Sequence, residues 1–252
     1  MHRKRVEQVS GLGVAGAVLL AFLTLITLFS TLRAEARSFA RVEVPAAPVV
    51  VRVAMERPKS ELDAVLLRRV QARWSYLRTH YGRKGHPCAR HRSLFEEAAA
   101  LSGLPAALIA GVAAQESGRC GDVPGGWMQI TRVDPEPLHE AARLLGLRWA
   151  DFEPRRLPRH AVVGGALVLR DLEARYPERY QAILAYNLGV RGLAEHSRAG
   201  SHYAHLRTTL PARVRDYLPA VLAGSLWMEA AWAGPMPAEL PEDRLRALLE
   251  RR

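Results

Sequence analysis

AALIAGVAAQESG, residues 106–118, runs apolar from Ala106 to Ala114 and then closes on Gln115, Glu116, Ser117 and Gly118. A helix that is apolar on every side must be buried on most of them. Pro105, just ahead, suits a first helical position because it has no N–H to leave unpaired. A glycine after the last turn ends the helix. The stretch therefore predicts a central core helix with a carboxylate, Glu116, leaving it where it stops. A poorly solvated carboxyl holds its proton toward neutral pH, which is what a general acid needs. The plainer reading of the same residue is a solvated C-terminal side chain with no special chemistry.

Outward from this helix the pattern stays helical. From Ser93 onward no run alternates like a strand, so the fold class is all-α. Ser93 with Glu96 has the form of a capping box, and Gly103 is placed to end the helix they begin. Upstream, a helix is expected over 60–82, opened by Ser60 with Asp63, with Leu62, Leu66, Val70, Trp74, Leu77 and Tyr81 on one face and arginines on the others. That face packs on the domain or, as the alternative, the basic faces lie on a membrane. Gly82 to Pro87 breaks it. Downstream, Gly234-Pro235-Met236-Pro237 interrupts the chain before a short helix with Leu245, Leu248 and Leu249 on one side. The expected organisation is a cytoplasmic tip and anchor over 1–32, an extended linker over 33–59, the amphipathic helix 60–82, a helical domain 83–233 and a tail 234–252.

The anchor rests on an uncharged stretch from Gln8 to Leu32 behind Arg3, Lys4 and Arg5. Roughly 20 apolar residues span a bilayer, and basic residues stay on the cytoplasmic side. The expectation is therefore a single-pass inner-membrane protein with its domain in the periplasm or outside the cell. Ala34-Glu35-Ala36 has the small-x-small form that would release a secreted protein if cleaved after Ala36. In composition the 252 residues are 49% hydrophobic and 24% charged, which excludes a disordered chain or a multi-span transporter. Lys+Arg 36 against Asp+Glu 25 gives +11, carried almost wholly by arginine, and favours polyanionic neighbours such as acidic wall polymer. A nucleic-acid partner is not expected, because no nucleic-acid motif is present and the arginines are dispersed.

Two later segments bear on Glu116. Gly126-Trp127-Met128-Gln129-Ile130 combines a glycine, large apolar groups and an amide, and Ala185-Tyr186-Asn187-Leu188-Gly189 closes another apolar helix with two hydrogen-bonding side chains. Taken in this order with Glu116-Ser117, they resemble the lytic transglycosylases of the soluble, lysozyme-like (SLT-domain) type. The resemblance runs from about Ser93 to Leu222 and includes Asp216-Tyr217-Leu218-Pro219-Ala220-Val221-Leu222, similar to that family's closing helix. It implies an all-α lysozyme-like domain acting on the glycan strands of peptidoglycan without metal or other cofactor. It also implies Glu116 as catalytic acid, with Ser117, Met128, Gln129, Tyr186 and Asn187 lining the glycan groove. Ala161 to Leu169 departs from the family's usual Asn-Ile-x-x-Gly-x-x-Tyr-Leu, keeping the glycine and losing the Asn and Tyr, and the loop after Glu116 is short.

Glycosidases generally use two carboxylates. Asp122 and Asp134 flank the Gly-Trp-Met-Gln segment and are the candidates for a hydrolase similar to goose-type lysozyme. The resembling transglycosylases need one carboxyl, since the sugar's own N-acetyl and C6 hydroxyl groups complete the reaction. A third reading is a catalytically idle wall-binding module of an envelope-spanning machine. His86, Cys88, His91 and Cys120 form a two-Cys, two-His set without a standard metal spacing. Outside the cytoplasm a Cys88–Cys120 disulfide is the simpler expectation. His196, His202 and His205 sit in a polar segment and are expected to be solvated.

Overall fold

The computed structural model describes residues 64–82, 84–121, 123–130, 134–198 and 200–250, all within the unit Arg57–Arg252. The anchor, the linker and the start of the helix expected at Ser60 lie outside the described residues. Every regular element among the described residues is helical. The α-helices are α1 (Ala64–Tyr81), α2 (Arg92–Ser102), α3 (Ala106–Ser117), α4 (Pro135–Leu144), α5 (Pro158–Arg175), α6 (Arg179–His196), α7 (Tyr203–Thr209), α8 (Ala212–Arg215), α9 (Tyr217–Ala233) and α10 (Glu242–Leu249), with 3-10 turns at Pro87–His91 and Trp149–Asp151. Among them no single helix is long and apolar enough to cross a membrane.

The centre of the fold is the antiparallel pair α3 and α9. Each is apolar nearly all round, and α3 is buried from Ala107 to Ala114. They meet where neither carries bulk. A β-carbon on Gly111 would sit 2.1 Å from Ser225 Oγ, 2.7 Å from the Val221 carbonyl oxygen and 2.8 Å from Ser225 N. Gly224 lies opposite, its own β-carbon position 3.6 Å from Gly111 Cα. Glycine is required at 111 by close approach of two backbones. This contact sets how the C-terminal end of α3 faces the N-terminal end of α9.

Helix α1 covers α9 from the other side, with Leu66, Val70 and Trp74 at four-residue spacing and fully buried. Burying such side chains contributes about 2 kcal/mol each before ordering costs, so α1 is part of the domain core and its stripe does not face a bilayer. At the far end α10 folds back. Arg179, paired with Glu173 (Nε to Oε1, 2.6 Å) in a buried ion pair, donates from Nη1 to the carbonyls of Leu248 and Glu250 at 2.6 and 3.0 Å.

Three local expectations are corrected. The Ser93–Glu96 capping box does not form: Ser93 lies within α2, whose first turn continues the 3-10 turn at Pro87–His91, and Glu96 pairs instead with Arg92. Pro105 occupies the cap position, one residue before the helix it starts. His205 is half-buried, its ring packed on Gly200 and its Nε2 shielded from solvent, whereas His202 is exposed.

Candidate active site

Glu116 stands in the last turn of α3, half-buried, and its Oε1 accepts a hydrogen bond of 2.5 Å from the hydroxyl of Tyr217, the first residue of α9. The Gly111–Gly224 crossing brings these two helix ends together. Burial pushes the Glu116 carboxyl above the ordinary range, and the Tyr217 hydrogen bond opposes this without overcoming it. The C-terminal end of a helix carries partial negative charge, which disfavours a carboxylate in the same direction. Tyr217 and Tyr186 both sit deep enough that burial, reinforced by the Glu116 charge, raises their hydroxyls well above the usual tyrosine value. Both therefore remain neutral donors across the physiological range.

The segments 118–121 and 123–130, which follow α3, are held by side chains rather than by a regular backbone ladder. At their start Ser117 Oγ donates to the Ala113 carbonyl at 2.6 Å and accepts from Cys120 N at 2.8 Å. Cys120 is bonded to Cys88, with their Cα atoms 5.1 Å apart. Trp127 is buried with its ring edge-on to His91, 4.7 Å between centroids. Met128 fills the space above Gly165, where a β-carbon would meet its side chain at 2.6 Å, and Gly126 backs onto the Pro154 carbonyl. Cys120 and Gln129 carry φ of 48° and 49°. A non-glycine residue in that region costs about 1–2 kcal/mol, and such backbone persists only where its surroundings over-determine it.

The residues named from sequence occupy different settings. Tyr186 is half-buried near it, and its hydroxyl donates to the Met128 carbonyl at 2.9 Å, tying α6 to the loop. Met128 is fully buried, so its side chain is not free to line a groove as expected, and its carbonyl accepts the Tyr186 hydroxyl. Gln129 spends its amide inside the loop, donating to the carbonyls of Pro124 and Gly126 at 2.8 and 3.2 Å. Asn187 is exposed. Two residues on, Gly189 has φ 75° and ψ 160°, so the helical backbone breaks there within α6. Tyr217 is the contact that the sequence reading missed as a site residue, although it lies in a quoted segment. Its signal was a tyrosine directly after an aspartate at the start of an apolar helix.

Of the two acids considered as partners, Asp134 is engaged elsewhere. Asp134 accepts from Glu136 N at 3.2 Å as the cap of α4 and pairs with Arg175 at 3.3 Å, contacts that hold its carboxyl below the usual range. Asp122 lies outside the described residues. Among the described residues no group of His, Cys, Asp and Glu could hold a metal ion. Cys88 and Cys120 are consumed in the disulfide, and His86, which accepts from Cys88 N, is held neutral by burial and by the nearby Arg119, its pKa lowered to about 4.

Residues 93–205 match the family model described as the transglycosylase SLT domain. The span contains Glu116, the loop and Tyr186, and it leaves out α1 and α9. No curated protein matches the chain. Among solved structures, the X-ray structure of an inactive mutant of the lytic transglycosylase Slt from Pseudomonas aeruginosa aligns with 22% sequence identity and a TM-score of 0.48, covering 61% of this chain. The chain spans 26% of that protein's length.

Proposed function

We infer that this chain, whose residues 93–205 match the transglycosylase SLT domain model, cleaves peptidoglycan glycan strands with Glu116 as the one acid and base and leaves 1,6-anhydro ends. The observation that carries the reading is the Glu116 carboxyl, half-buried at the end of α3 with its proton favoured, near two neutral tyrosine hydroxyls and with no second acid bonded to it among the described residues. A protonated carboxyl in this position donates to the glycosidic oxygen as it leaves C1 of N-acetylmuramic acid. The charge developing at C1 is met by the sugar's own N-acetyl group. Glu116, now a carboxylate stabilised by the Tyr217 hydroxyl, then takes the proton from the C6 hydroxyl as that oxygen bonds to C1. One group used as acid and then as base ends in its starting state, and no water is consumed.

Hydrolysis would need a second carboxylate to activate water on the opposite face, and the engagement of Asp134 with Arg175 and the α4 terminus argues against its serving so. In keeping with the charge balance and the uncharged segment at 8–32, the proposed setting is a membrane-anchored protein whose domain meets the wall outside the cytoplasm, with an envelope machine as a further proposed partner.

The deciding experiment is mass spectrometry of purified glycan strands digested by the protein and by Glu116→Gln. The expected products carry anhydro ends, lighter by one water than hydrolysed ends. The variant keeps the fold and loses at least about 100-fold in turnover, the low end for a positioned acid–base group. Reducing ends alone mean lysozyme-like hydrolysis. Full activity in Glu116→Gln removes the assignment of the acid, and glycan binding without turnover in either protein leaves a wall-binding module.

A further inference from the structure

Helix α1 lies outside the matched span 93–205, yet it reaches the active site through one residue. The Arg69 guanidinium donates to Asp216, and Arg73 stands 3.8 Å from the other oxygen of the same carboxylate. Asp216 occupies the cap position of α9, immediately before Tyr217. An aspartate there ordinarily turns its carboxylate onto the free N–H groups of the first turn. Here it makes no such bond and is turned toward α1 instead. The arginines flank the buried Leu66, Val70 and Trp74 stripe, so the packing that docks α1 on α9 also places both guanidinium groups. On the other side of the junction the Tyr203 hydroxyl donates to the Arg215 carbonyl at 3.1 Å.

We propose that α1 is a positioning element of the active site: Arg69 and Arg73 hold Asp216, Asp216 fixes the first turn of α9, and that turn presents the Tyr217 hydroxyl to Glu116. The tyrosine ring amplifies any tilt of that turn, because its hydroxyl lies at the end of a long rigid lever. Displacements near 1 Å at a catalytic group can lower turnover by about 100-fold, so an exposed ion pair far from substrate acquires leverage over the chemistry. The kinetic consequence rests on the proposed role of Glu116, while the placement of Tyr217 does not.

The test uses the full chain with Arg69→Ala/Arg73→Ala, Tyr217→Phe, their combination, and Asp216→Asn as an independent break in the same relay. Two quantities are read: the titration midpoint of the Glu116 carboxyl by carbon-13 NMR, assigned by its loss in Glu116→Gln, and kcat and KM on purified glycan strands. Glu116 faces Tyr217 from α9 and Tyr186 from α6, neither of which titrates in the range, so the midpoint reports the carboxyl itself. Tyr217→Phe removes a bond that favours the carboxylate and raises the midpoint. The double arginine variant and Asp216→Asn raise it in the same direction by about half a pH unit or less, the size an exposed ion pair can transmit. They lower kcat by roughly two- to fivefold with KM unchanged. In the Tyr217→Phe background the arginine changes add nothing, and Arg69→Lys/Arg73→Lys, which keeps both charges, restores the wild-type midpoint. A wild-type midpoint and kcat in the double arginine variant, or effects that add in full to Tyr217→Phe, would overturn the proposal. A wild-type protein without turnover defeats the functional reading, and the titration then decides the relay on its own.

Discussion

Replacing Gly111 by alanine adds one carbon at the point where α3 and α9 touch. The added β-carbon would stand 2.7 Å from the Val221 carbonyl oxygen and 2.8 Å from Ser225 N, both backbone atoms that cannot rotate away. Ordinary contact begins at 3.4 Å, so α9 must retreat by about 0.7 Å. Overpacking of this kind costs about 1–3 kcal/mol, and the gain in helix propensity returns up to about 1 kcal/mol. The net loss of up to about 2 kcal/mol lowers the melting temperature by roughly 2–8 °C for a domain of this size. The same retreat carried to the start of α9 would stretch the Tyr217–Glu116 bond from 2.5 Å to about 3.2 Å, with turnover falling alongside stability. Ser225→Gly does not rescue, because the remaining obstacles are main-chain atoms. Gly121→Ala is the control, since a β-carbon there meets nothing within 4 Å, and it should be neutral or stabilising. The assay is thermal unfolding followed by circular dichroism, with turnover on glycan strands in parallel. A Gly111→Ala protein that melts at or above the wild-type temperature would refute the argument that this crossing is closed to a β-carbon.

Two further outcomes follow from the site. The Cys88–Cys120 bridge closes a segment with a sequence separation of 32, and its removal as Cys88→Ala/Cys120→Ala should cost about 3–4 kcal/mol in the chain-entropy model, measured by denaturant unfolding; an unchanged midpoint would mean that the loop is held by Trp127, Met128 and Gln129 alone. Glu116 binds its proton more tightly folded than unfolded, so between the unfolded carboxylate value and the raised folded one the native state holds more protons, and stability falls as pH rises through that window. Glu116→Gln should flatten this part of the stability profile, and a variant profile parallel to wild type would show that the burial carries no penalty.

What the sequence revealed depended on whether the signal was local. The all-α class, the core helix ending at Glu116 and the backbone break at Gly189 are written in runs of apolar residues and in glycines, and they were legible. The capping box at Ser93 was misread because the preceding turn, held at Cys88, supplies the start of α2, and nothing in Ser93-x-x-Glu96 records that. Met128 was read as a groove residue because a large side chain beside a candidate loop looks available; only its seat above Gly165, far along the chain, sends it inward. Tyr217 escaped as a site residue for the same reason. Its hydroxyl meets a carboxylate 101 positions earlier, through a helix crossing that depends on Gly111.

Arg179 grips the last turn of α10 by the main-chain oxygens of Leu248 and Glu250, not by their side chains. Main-chain oxygens are the same whatever residue carries them. Evolution is therefore free to rewrite the letters at 248 and 250 as far as this grip is concerned, but not the count of residues leading to them. One residue gained or lost between Leu245 and Leu248, inside the helix, would rotate a different pair of carbonyls toward the guanidinium or carry Leu245 off its buried seat. Related chains should thus drift in the composition of this segment while keeping its length, the reverse of what is expected of a surface tail.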